Sequence, residues 1–177
     1  MRPLLFLVLI LLSYSALSQQ DSNIVNLIKD VIGGNNDKTT IGYLEIYEPS
    51  GYDFFSGYTR NRKVWDENSK SYALKLSKKE MNLLNEQIEK ARNYKFPPKL
   101  LPNATLIPSD SLGNYIAKYP KNKVYLFAMP MFIRNHTIAL FSFIQLNPGT
   151  IYPSKTVTAF YRKKSREWKI LALLEEL

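Results

Sequence analysis

The stretch "PSGYDFFSGYTRNRKVWDEN", residues 49–68, holds the side chains best suited to recognition. Tyr52, Phe54, Phe55, Tyr58 and Trp65 stand there among Gly and Ser, with Arg60, Arg62 and Lys63 interleaved. Aromatic rings on a loop stack on sugars or anchor protein partners, and clustered cations attract anions. The competing reading is structural: such rings fold back and cover an apolar sheet face that water would otherwise meet. Glu45, Glu48 and Asp53 lie close by. Two carboxyl groups flanking a glycosidic bond support its hydrolysis, so an envelope hydrolase acting near Glu45 and Asp53 is the alternative to a binding role. Glu45 shares strand parity with Tyr43 and Glu48 does not, and solvated charge at a strand edge accounts for both more simply.

Other chemistries find little support. His136 is the only histidine. It follows Asn135 at a predicted tight turn, where exposure is expected, whereas a catalytic histidine needs a positioned partner. One His and no Cys make a poor metal set. No G-x-S-x-G context surrounds a serine, and no glycine-rich loop is present to cradle a phosphate. "NAT" at Asn103 and "NHT" at Asn135 match the glycosylation sequon, and matches that short arise by chance. No cofactor is expected. The residues point to a non-enzymatic binding or interaction module.

The formal net charge of +9 favours anionic partners such as surface polymers or acidic proteins. The basic residues are spread through "RNRK", "KLSKKE", "AKYPKNK" and "YRKKSR", where charge also serves solubility. No nucleic-acid reading motif accompanies them.

The opening "MRPLLFLVLILLSYSALSQQ" runs from a basic start through an apolar stretch to Ala16 and Ser18, two small residues. That is the order of a secretory signal peptide, expected to be cut after Ser18. The apolar run is too short to span a bilayer. Export to the periplasm or the medium follows, with residues 19–177 as one domain and an envelope protein or anionic polymer as the expected partner. No transmembrane segment is expected once the signal is removed. With no Cys, disulfides cannot staple the fold, so packing must hold it.

The elements that position these residues follow from periodicity. "SNIVNLIKDVIGG" places Ile24, Leu27, Ile28, Val31 and Ile32 at helical spacing, with Gly33 as the stop. "IGYLEIYE" reads as a strand, and "SYALKL" as a second strand pairing with it. "SKKEMNLLNEQIEKARNYKFPP" is a helix: Ser77 and Glu80 make a capping box, Met81, Leu84, Ile88 and Ala91 form its apolar stripe, and Pro97 ends it. "KLLPNATLIPSD" reads as an extended connection, followed by a short helix ending before Pro120. Four antiparallel strands are predicted at about 123–133, 137–146, 154–163 and 167–174.

The first of these four, in "KVYLFAMPMFIRNHTIALFSFIQL", is apolar on both parities. It must lie near the middle of a covered sheet. Simple alternation puts Tyr125, Phe127, Met129, Met131 and Ile133 on one face. Pro130 has no N–H for the ladder and is expected at a bulge. The predicted fold class is α+β, with helices packed on a curved antiparallel β-meander. The capped helix covers one face, and Trp168, Ile170 and Ala172 pack on that helix. Phe54, Phe55 or Trp65 covers the other face.

The cadence of "LSKKEMNLLNEQIEK", Pro130, Phe132 and Asn135, and Trp168-Lys169-Ile170 resembles an uncharacterised family of exported proteins of Gram-negative bacteria. The likeness covers about 100 residues and implies no particular activity. Members carry a Cys pair and glycines between the later strands, which this chain lacks. The layout of a helix on a curved meander is similar to cystatin-like and NTF2-like folds, an analogy of fold only.

Overall fold

The computed structural model describes residues 22–32, 41–44, 59–60, 62–92, 94–98, 101 and 104–176. The expected signal peptide lies outside them, as do Glu45, Glu48, Tyr52, Asp53, Phe54, Phe55 and Tyr58.

The first predicted helix forms over residues 22–32 (α1), burying Ile24, Leu27 and Ile28. The capped helix spans Lys78–Ala91 (α2). Its capping box is complete: the Glu80 N–H donates to Ser77 Oγ at 3.1 Å, and the Ser77 N–H donates to Glu80 Oε2 at 2.7 Å. Two of the helix's orphan donors are thereby satisfied at once. Leu84 and Ala91 are buried on its inner face, with Met81 and Ile88 beside them.

Among the described residues, ten strands accompany these helices. In chain order they are β1 (Ile41–Leu44), β2 (Thr59–Arg60), β3 (Lys63–Asp66), β4 (Ser71–Lys75), β5 (Ala104–Ile107), β6 (Lys123–Phe127), β7 (Met131–Ile133), β8 (Ile138–Leu146), β9 (Pro153–Lys164) and β10 (Glu167–Glu176). A 3-10 turn at Ser109–Ser111 leads into a short helix, α3 (Leu112–Lys118).

The C-terminal strands form an antiparallel meander, with β8 between β6 or β7 and β9, and β10 outside β9. The rest of the sheet corrects the predicted class. Its order is β10-β9-β8-β6-β1-β5, and β1 runs parallel to both β5 and β6. The fold is α+β with a mixed sheet, neither purely antiparallel nor strongly curled, and its two end strands are not joined to each other. "ATLI", expected as part of a connection, is the edge strand β5. Parallel strands need a crossover, and α3 provides the one from β5 to β6, passing beside β1. Gly42 makes room for it: a Cβ there would meet Ile107 Cδ1 at 2.6 Å and Tyr115 Cε1 at 2.8 Å.

The expected partner of "SYALKL" was also different. β4 pairs with β3, and β2, β3 and β4 make a separate three-stranded sheet. The four-residue loop Glu67–Lys70 closes far less chain than the excursion back to β1, so local pairing wins on entropy.

The strand over 123–133 is broken where Pro130 requires. Phe127 faces Phe143, whereas Met131 faces Leu140, so one extra residue is accommodated on this strand. The extra residue reverses parity. Tyr125 and Phe127 therefore share the α1 side with Phe132, while Met131 and Ile133 turn to the α2 side. The expected common face of Tyr125, Phe127, Met129, Met131 and Ile133 does not exist. α1, Phe96 and Leu101 pack on the Tyr125–Phe127 side, where cover from the aromatic stretch had been expected. A second irregularity, between Ile170 and Ala172, separates Trp168 from Ala172. Trp168 packs with Phe132 on the α1 side, 5.8 Å between ring centres, and not on the capped helix. Ile170 is exposed, and Ala172 alone of the three reaches the α2 side.

The turn from β7 to β8 holds three consecutive left-handed residues, Arg134, Asn135 and His136, with φ of 52°, 51° and 59°. Asn tolerates that region and the other two do so at a cost. The surroundings hold the turn in place. Thr137 bonds the Arg134 carbonyl through its N–H and its hydroxyl, and the Arg134 guanidinium reaches Glu80 Oε1 at 2.7 Å and the Lys75 carbonyl at 2.8 Å.

Candidate functional site

The aromatic-basic stretch is described from Thr59 onward, and there it builds a face. Thr59 pairs with Val64 and Arg60 with Lys63, closing a hairpin on which Arg62 takes φ 63°. Arg62 is exposed, and its carbonyl accepts from the Leu76 N–H at 2.8 Å. Along β3 the pattern alternates: Lys63 outward, Val64 buried, Trp65 half-buried, Asp66 buried.

The facing strand would alternate in the same way without a bulge. Val64 pairs with Leu74 and Trp65 with Tyr72, which leaves Ala73 as the extra residue. That bulge moves Tyr72 off the parity of Leu74 and Leu76, both buried, onto the outer face. Tyr72 is 46% exposed. Its ring meets Trp65 edge-on at 5.3 Å, and Lys63 Nζ sits 5.6 Å from its centre. The three form an aromatic pair with a cation across it. A shallow cleft of about 260 Å³, lined by Lys63, Tyr72, Ala73, Leu74 and Lys75, runs beside them.

The small sheet is fixed to the large one through Asp66. Its carboxylate accepts from the Leu173 N–H at 2.8 Å, while the Glu67 N–H donates to the Leu173 carbonyl at 2.8 Å. Leu173 lies at an irregularity of β10, where ladder bonds are interrupted. Asp66 also collects the Asn68 and Ser69 N–H groups. Burial pushes its pKa up, but these bonds outweigh that and hold the carboxyl below its ordinary range. Asp66 is thus a structural anchor at the end of β3.

Of the residues singled out beforehand, Trp65 and Arg62 belong to this assembly. Arg60 lies in β2 beside it, and Tyr52, Phe54, Phe55 and Tyr58 lie outside the described residues. Trp65 does not cover the meander; its aromatic partner is Tyr72. The alternation of "SYALKL" assigns Tyr72 to the inside, so its role was hidden by a bulge that nothing local announces.

His136 is exposed at the β7–β8 turn, with its ring 5.4 Å from Phe132. Among the described residues no group of three or more His, Cys, Asp or Glu is placed to hold a metal ion. Comparison of the chain with protein-family models, with curated proteins and with solved structures finds no match.

Proposed function

We propose that the protein is an exported, non-enzymatic binding module that holds an anionic polymer of the cell envelope on the outer face of the β2–β4 sheet. The Trp65–Tyr72 pair with Lys63 across it carries the reading. Ring faces and edges suit the C–H surfaces of sugars, and Lys63, Lys75 and Arg62 supply charge for carboxylate, sulfate or phosphate groups. Export is supported by the signal-type order of residues 1–18 and by the resemblance to exported proteins. No helix among the described residues is long and apolar enough to cross a membrane.

The test is retention on immobilised polyuronate against neutral dextran, over a salt series. Retention on the polyuronate alone, weakening as salt rises, is expected, with Tyr72→Ala and Lys63→Glu each removing it. Equal behaviour on both matrices would overturn the proposal.

A further inference from the structure

A groove of about 750 Å³ runs along α2 on the other side of the Arg134 turn. Its size is that of a small-molecule site. One wall is β7, and an extended peptide adding to that edge is the first occupant to consider. The backbone rules it out. In an antiparallel edge strand only every second residue turns its N–H and C=O outward. On β7 that residue is Phe132, and both its groups are taken by Gln87, at 3.0 and 3.1 Å. Pro130 has no N–H to offer. Recognition in this groove therefore falls to side chains.

Those side chains are apolar in the middle and cationic at the ends. Leu83 is 40% exposed on α2, facing a groove that Met129 and Ile133 also line. Lys79 and Lys90 stand about 16 Å apart along α2 by the helical rise. Neither is paired with a carboxylate among the described residues. Glu80, the one carboxylate lining the groove among the described residues, is already neutralised by Arg134. The Arg134 guanidinium keeps N–H donors beyond the two it uses on Glu80 and Lys75. Lys79 is thus the unpaired cation at one end of an apolar trough, beside the remaining Arg134 N–H donors and the positive end of the α2 dipole.

We infer that this groove binds a long-chain carboxylate, with the head group at Lys79 and Arg134 and the chain along Leu83 and Met129. Charge complementarity selects an anion, and the exposed Leu83 beside the adaptable Met129 selects an alkyl body. The site is separate from the outer face of the small sheet and does not depend on it.

His136 lines the groove and is the only histidine of the chain, so its ring resonances report occupancy without ambiguity. Laurate, titrated below its micelle concentration, is expected to move them saturably. Dodecanol is expected to bind about tenfold more weakly for want of the ion pair, and acetate not at all. Lys79→Glu reduces laurate to the level of dodecanol, and an acidic residue in the first turn of α2 leaves the helix intact. Leu83→Ser weakens laurate and dodecanol alike, whereas Lys90→Glu, at the far end, leaves laurate binding near that of the parent chain. The inference fails if laurate gives no saturable shift, if dodecanol equals laurate, or if Lys79→Glu binds laurate undiminished. Polyuronate retention by Lys79→Glu and Leu83→Ser is expected to be unchanged, which separates this site from the proposed polymer face.

Discussion

Gln87 on α2 completes β7 as a neighbouring strand would: its side-chain amide donates to the Phe132 carbonyl at 3.1 Å and accepts from the Phe132 N–H at 3.0 Å. One helical side chain thereby satisfies the outward backbone pair of a three-residue strand and closes an edge otherwise open to another chain.

Gln87→Ala is expected to remove both bonds to that N–H and C=O, at about 0.5–1.5 kcal/mol for each part-buried bond. Urea melts measure the loss, and size-exclusion chromatography is expected to show dimers forming through the opened edge. A variant with the parent's stability and elution would refute this role.

Glu80 predicts a pH dependence. The hydrogen bond from Arg134 is the largest influence on it and, with the capping bonds, outweighs burial to bring its pKa down from 4.5 to about 2. A carboxyl whose folded value is depressed stabilises fully above its unfolded value and ceases to do so as it protonates. The contribution of Glu80 is therefore complete above pH 4.5 and lost as pH falls toward 2. Glu80→Gln retains the capping box, which accepts Gln at this position, but lacks the charge for Arg134. Melting midpoints of the two proteins should converge as pH is lowered through this window. A constant difference would mean that the ion pair is not what depresses the acid.

Asp66→Ala is expected to detach the small sheet from β10. It leaves the buried Leu173 N–H without its acceptor, at about 1–3 kcal/mol. Amide exchange is the direct measurement: protection at Leu173 and Glu67 should fall while that of β8 and β9 persists. Uniform loss across the large sheet would show instead that Asp66 supports the whole fold.

Trp168→Ala should cost about 3–5 kcal/mol, as buried large-to-small changes do. Its placement on the α1 side makes the coupling specific. Combined with Leu84→Ala, which acts on the α2 side, the costs should add to within about 0.5 kcal/mol. Combined with Phe132→Ala they should not, because the two rings are in contact. Strong coupling between Trp168 and Leu84 would restore the packing on α2 expected from simple alternation.

What the sequence determined by itself is everything governed by near neighbours. The capping box at Ser77 and Glu80, the apolar stripe of α2, the turn at Asn135-His136 and the break at Pro130 depend on contacts within a few residues, and each stands where local chemistry puts it. Along β8 simple alternation holds, with Ala139, Phe141 and Phe143 on the α1 side and Ile138 and Leu140 on the α2 side, since its ladder to β9 runs in uniform register from Ile138 to Gln145. Tertiary structure alone decided which way strands run and which faces survive a bulge. Alternation reads the same for parallel and antiparallel partners, so the mixed sheet around β1 was invisible until α3 crossed over it. One inserted residue reverses the parity of everything after it. That is why Phe132 and Trp168 lie on the α1 side, and why Tyr72, the residue that completes the candidate face with Trp65, points outward. A bulge is a relation between two strands, and the position of the partner is not written in either one alone.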